Sequence, residues 1–151
     1  MKKLPVLLLL LFPVCVALIS CGNETNTMLS RKWKVKQLEL PQMQEILGKI
    51  EKQEDKEQFK NDVSSLIEKS VFDFKPNGKY EITLIVKDSV KITKGEWSIE
   101  DKDKSKKIYL VATEEKTKAV SRFLIKTIQA DKLLLEEQNG NKASLLLVPM
   151  Q

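Results

Sequence analysis

The chain has 151 residues and a formal net charge of +5, with two cysteines, five glycines and no histidine. The lack of histidine excludes Ser-His-Asp and Cys-His nucleophilic arrangements, His/Cys zinc sites and histidine-bound haem. Basic and acidic residues are interspersed, as in Asp101-Lys102-Asp103-Lys104, which reads as a mixed solvated surface and not as the basic stripe a nucleic acid needs.

At the N-terminus Lys2 and Lys3 precede an apolar run from Leu4 to Leu18, closed by Ile19-Ser20-Cys21. A charged start, an apolar centre and a small residue before the final position read as a secretory signal. The rival readings are a retained membrane anchor and a buried core helix. Against them, the run is about 17 residues, at the lower edge of what crosses a hydrocarbon core of ~30 Å. Pro5 and Pro13 also interrupt it, each at roughly 3 kcal/mol in a helix interior. The Leu18-Ile19-Ser20-Cys21 ending resembles the signal peptide of a bacterial lipoprotein. That resemblance implies cleavage after Ser20, a diacylglycerol on the thiol of Cys21 and, usually, an acyl chain on the new amine. Each buried acyl CH₂ contributes roughly 0.8 kcal/mol, so two or three chains hold durably. Residues 1–20 are therefore expected to be a signal peptide, 21–29 a lipidated polar tether, and 30–151 one domain. Within the tether, Gly22-Asn23-Glu24-Thr25-Asn26-Thr27 reads as a spacer with nothing to pack. In enteric bacteria an aspartate after the lipidated cysteine retains lipoproteins in the inner membrane. Gly22 in that place leans towards the outer membrane of a Gram-negative cell, with the lipid as the link to the membrane. Cys15 leaves with the signal and Cys21 is taken by lipid, so the mature domain has neither disulfide nor free thiol. Its ~130 residues must be stabilised by a hydrophobic core.

The first predicted strand lies in residues 31–40, where Trp33, Val35 and, after a step, Leu38 and Leu40 are apolar. The lysines alternating through Arg31–Lys36 read as the solvated face of an edge strand. Pro41 opens a helical stretch to about Ser70. Its two apolar stripes, Met43-Ile46-Leu47-Ile50 and Phe59-Val63-Leu66-Ile67, point in nearly opposite directions. One straight helix cannot lay both on one core, so two helices are expected, with the break inside Glu51–Gln58 and a cap from Asp55 with Gln58. A single charge-covered helix is the rival.

From Val71 the period changes to two. Val71-Phe72-Asp73-Phe74 leads through the turn signal Pro76-Asn77-Gly78 into Tyr80, Ile82 and Leu84, which alternate with polar residues. Val90 and Ile92 share one parity and Trp97 and Ile99 the other, so a bulge or tight connection is expected near Lys94-Gly95. Strands follow over Lys107–Thr113, Val120–Ile128, Lys132–Glu137 and Ala143–Val148. Asp101–Ser105 and Glu114–Thr117 read as loops, and Asn139-Gly140 as a hairpin turn. The class is mainly β. About eight antiparallel strands in near-unbroken succession, with one helical insertion after the first, favour a meander that closes and so removes its exposed edges. An eight-stranded barrel is just wide enough for packed side chains or one small ligand.

Trp33 in the first strand, the Phe72-x-Phe74-x-Pro76-x-Gly78-x-Tyr80 hairpin and Gly95-Glu96-Trp97 resemble the pattern of small lipocalin-like domains found on lipoproteins of some Gram-negative bacteria. The later pairing of Ile125–Leu135 also fits, and the likeness covers about residues 31–150. It implies a calycin-type barrel and, by analogy, a small hydrophobic ligand. Trp33, Phe72, Phe74, Tyr80 and Trp97 are the candidate pocket residues, with plain core packing as the alternative for each. Glu114-Glu115 and Glu136-Glu137 are neighbours in sequence, but adjacent strand residues point to opposite faces and make no acid–base pair. No metal site or cofactor is expected, and no enzymatic activity; a carboxylate-dependent hydrolase ranks last. The two leading readings are a lipid-anchored envelope protein holding a small apolar molecule, and an envelope interaction protein whose barrel is packed solid. The second would be an assembly subunit or an inhibitor of a secreted hydrolase.

Overall fold

The computed structural model describes residues 21–86, 88–102, 106–140 and 142–151. The signal peptide expected over 1–20 lies outside them, as do the side chain of the lipid-attachment candidate Cys21 and positions 103–105 of the expected Asp101–Ser105 loop. In chain order the elements are α1 (Cys21–Leu29), β1 (Lys32–Glu39), α2 (Met43–Lys49), α3 (Gln53–Lys69), β2 (Val71–Phe74), β3 (Lys79–Val86), β4 (Ser89–Lys102), β5 (Lys107–Glu114), β6 (Val120–Gln129), β7 (Lys132–Glu137) and β8 (Ser144–Pro149). Each strand pairs antiparallel with the next, and β8 returns to β1, closing an eight-stranded barrel.

Alternation sets which residues face inwards. Trp33 and Val35 of β1, Phe72 and Phe74 of β2, Tyr80 of β3, Trp97 of β4, Leu110 and Ala112 of β5, Leu133 and Leu135 of β7 and Leu147 of β8 are all buried. Between them run Lys32, Lys34 and Lys36, which are exposed as expected. Their strand is not an edge, however, because β1 is bonded on both sides, to β2 and to β8. Closure abolishes edges.

Several local expectations are corrected. The spacer over 22–27 does pack: it forms most of α1, in which Thr25 is 7% exposed and Leu29 fully buried, so the barrel's core begins before residue 30. The helical insertion does split, at Ile50–Lys52, but α3 starts after Lys52, which makes no side-chain cap. Asp55 sits instead in the first turn, where a carboxylate favours the positive end of the helix dipole. No bulge occurs near Gly95. The β3–β4 register runs unbroken from Lys79↔Glu96 to Val86↔Ser89, so Val90 and Ile92 face out, 60% and 51% exposed. The irregularities lie elsewhere, between Val35 and Gln37 in β1 and between Ile125 and Thr127 in β6. The first is the step expected before Leu38. At Asn139-Gly140 the connection is wider than a two-residue turn: Glu137 N–H bonds Ala143 O at 2.8 Å, and Gly140 takes φ +101°.

Candidate functional site

The barrel has two unlike ends. At one, α1 lies across the opening. Leu29 joins the core, and the Trp33 indole N–H donates to the Leu29 carbonyl at 3.0 Å, using one of the acceptors a helix C-terminus leaves free. The β2–β3 turn closes beside it, and there the Trp97 indole N–H donates to Lys75 O, also at 3.0 Å. Arg31 donates to Ala130 O in the β6–β7 turn and lies 5.5 Å from the Trp33 ring centre.

The five aromatic candidates gather at this end, on the inner wall. Phe72 and Phe74 are 6.5 Å apart between ring centres, and Phe74 meets Trp97 edge-on at 5.9 Å. Such pairs are favourable beyond their area burial. Trp33 is fully buried, and the other four are 2–8% exposed. Together with Leu29 they fill this half of the interior. An open groove of about 640 Å³ runs outside them, between α1 and the β2–β3 turn, lined by Asn26, Ser30, Pro76 and Trp97 among others.

The other end is different. Ile82 is directly opposite buried Phe72, Phe123 opposite buried Leu110, and Ile125 and Leu145 opposite buried Leu135. Leu38 is in turn opposite Leu145. Directly opposed residues share a face, so all five point inwards. All five pack on the core, yet each is only half-buried. Leu84, one inward position beyond Ile82, behaves the same way. The inner wall thus has a buried aromatic cluster at one end and a run of half-buried apolar residues at the other, while Ile99 and Ile128, towards the α1 end, are also only half-buried.

Several polar groups share the inward face at this end: Thr93 is opposite Ile82, Lys91 opposite Leu84 and Glu137 opposite Phe123. Ser121 faces Ala112 and is exposed, which marks the rim. Glu114 accepts from the Thr117 hydroxyl at 2.7 Å. Burial first, and then the charge of Glu114, hold the Tyr80 phenol above its ordinary value of 10. Glu136 pairs with Lys126 at 3.7 Å, so it serves the surface. Ser70, at the junction of α3 and β2, is fully buried, and its hydroxyl has no hydrogen-bond partner among the described residues.

The outer wall carries ion pairs: Lys79–Glu96 at 2.6 Å, Lys94–Glu81 at 3.0 Å and Arg122–Glu100 at 3.0 Å. The hydrogen bond and charge of Lys79 lower the Glu96 pKa, and Glu96 raises that of Lys79 in return. Arg122 also stacks 4.0 Å over the Tyr109 ring. Among the described residues there is no cluster of three or more metal-binding side chains. No helix among them is long and apolar enough to cross a membrane.

Sequence reading reached the aromatic cluster and missed the half-buried inner residues at the other end. Ile82, Leu84 and Ile125 were identified as strand residues, but nothing local distinguishes a loosely packed leucine from a tightly packed one. Ser70 had a usable signal: it has the parity of Phe72 and Phe74.

No family model matches the chain, and no curated protein matches it. Among solved structures it is similar to a lipocalin-like protein from Bacteroides uniformis, at 13% sequence identity and a TM-score of 0.50, over 82% of this chain and 99% of that one. That likeness is one of fold, and the fold is a lipocalin-like barrel.

Proposed function

We propose that this protein is a non-catalytic, lipid-anchored protein of the bacterial envelope whose barrel holds one small hydrophobic molecule. The observation that carries the ligand is the half-buried inner wall of Leu38, Ile82, Leu84, Phe123, Ile125 and Leu145. Sites for small molecules are concave and mostly apolar, with few polar groups. Fold alone would not support this reading, since one fold hosts many functions. The anchor is supported by the residues 1–21 pattern, with lipid on Cys21 and the outer membrane of a Gram-negative cell as the address. A second reading, an envelope interaction protein without ligand, is favoured by one observation: Val90 and Ile92 stand exposed side by side on the outer face.

Metabolic labelling with palmitate of cells making the full chain should mark it, and Cys21→Ser should abolish the mark. An unmarked wild-type protein refutes the anchor. Native mass spectrometry of the protein in a detergent-free lipid disc should show a population heavier by one apolar molecule, or one that takes up the neutral dye N-phenyl-1-naphthylamine at 1:1. Neither adduct nor dye uptake would refute the ligand and favour the second reading.

A further inference from the structure

The barrel wall is incomplete beside β2. This strand has only four residues, and its pairing ends at Val71, opposite Lys34 of β1 and Thr83 of β3. β1 runs on to Glu39 and β3 to Val86. Beyond Val71 the two long strands therefore flank a wedge with no strand between them. α3, which leads directly into β2, is in contact with both β1 and β3 and covers this wedge. The inward residues on its two banks are Leu38 and Leu84, both half-buried.

The cover is lightly held. α3 has 17 residues and none is buried. Its apolar stripe of Phe59, Val63, Leu66 and Ile67 is half-buried throughout, and of these Ile67 packs against the core cluster. Its C-terminus ends on Ser70, which is in extended conformation (φ −80°, ψ 139°), so its side chain falls on the same face as inward Phe72. There the hydroxyl is fully enclosed without a partner among the described residues. An enclosed, unpaired hydroxyl is costly, and the cost disappears when water reaches it. The closed position of α3 is thus the one in which Ser70 is worst placed.

We propose that α3 is a lid over a side entrance between β1 and β3, and that the interior takes a slim apolar chain through it. This rests on the reading that the barrel holds a hydrophobic molecule. Slimness follows from the site's shape: the aromatic cluster is buried at one end, and an eight-stranded interior is narrow. Its apolar character follows from its lining of Leu38, Ile82, Leu84, Phe123, Ile125 and Leu145, with the Ser70 hydroxyl at the entrance; Lys91, opposite Leu84, and Glu137, opposite Phe123, share the same face as the charged groups of that end. When α3 lifts, Ser70 is solvated and Leu38 and Leu84 are uncovered.

The test uses the full chain in lipid discs, with N-phenyl-1-naphthylamine as probe and stopped-flow fluorescence as readout. Ser70→Ala removes the group that favours the lifted state, so dye uptake should slow roughly tenfold while the protein becomes no less stable. Ile67→Ala removes the lid's grip on the core, and uptake should accelerate. Hydrogen exchange of wild-type protein should open α3 amides well before those of β4 and β5. If the dye binds but both variants take it up at the wild-type rate, the lid is refuted and the ligand reading stands, with entry through the barrel's open end. Exchange of α3 only together with the barrel strands would equally refute the lid. If no dye binds at all, both readings fall.

Discussion

At Gly95 the backbone of β4 passes directly under the ring of Tyr80, its cross-strand partner. A Cβ built there would lie 2.0 Å from Thr113 O and 2.7 Å from Tyr80 Cε1. The first neighbour is backbone of the paired strand and cannot move aside, so the glycine is required by close approach. Gly95→Ala should lower stability by about 2–3 kcal/mol or more, as overpacking a filled site does, and urea denaturation would measure it; an unchanged midpoint would mean the strands are not this close. The Gly95-Glu96-Trp97 motif was visible in the sequence, but its reason was not: a glycine's neighbour across a sheet lies fifteen residues away, in Tyr80. Tyr80 carries a second consequence. Its pKa is raised in the folded protein, so the unfolded chain loses the phenolic proton first. The stabilisation is complete below pH 10 and is lost as pH rises beyond it. Wild-type stability should therefore fall more steeply as pH rises above 10 than that of Tyr80→Phe; parallel profiles in urea titrations would contradict this.

Among the elements, α1 departs furthest from its sequence. Six polar or small residues in a row, Gly22 to Thr27, have no helical apolar stripe to announce them, and a tether is the natural expectation. One residue overturns it. Leu29 enters the core and its carbonyl accepts the Trp33 indole proton, so a weakly helical segment is held by tertiary contact. Leu29→Ala should cost about 2–5 kcal/mol and shift tryptophan fluorescence to the red as the end over Trp33 loosens; equal melting temperatures would make α1 an ornament. The split of α2 from α3 was legible because opposed stripes are a geometric contradiction within one straight helix. The unbent β4 was not legible. Parity told that Val90 and Ile92 differ from Trp97, and a bulge was one way to reconcile them, but leaving two β-branched residues outside was the other.

At the scale of the molecule, ion pairs contribute little, since their partners are largely exposed and surface pairs are weak. What holds the fold is an enclosed apolar wall, gathered from every strand and capped by α1. Taken alone, the sequence determined the class, the strand succession, the helical insertion and which face of most strands is apolar. Each follows from spacing along the chain, because side chains alternate at a period of two in strands and 3.6 in helices. Only the tertiary structure decided that the aromatics pack together at one end, that β2 stops short of its neighbours, and that α3 covers the wedge left behind. Those outcomes depend on register between distant strands and on volumes summed around a closed ring, quantities that no local pattern of residues contains.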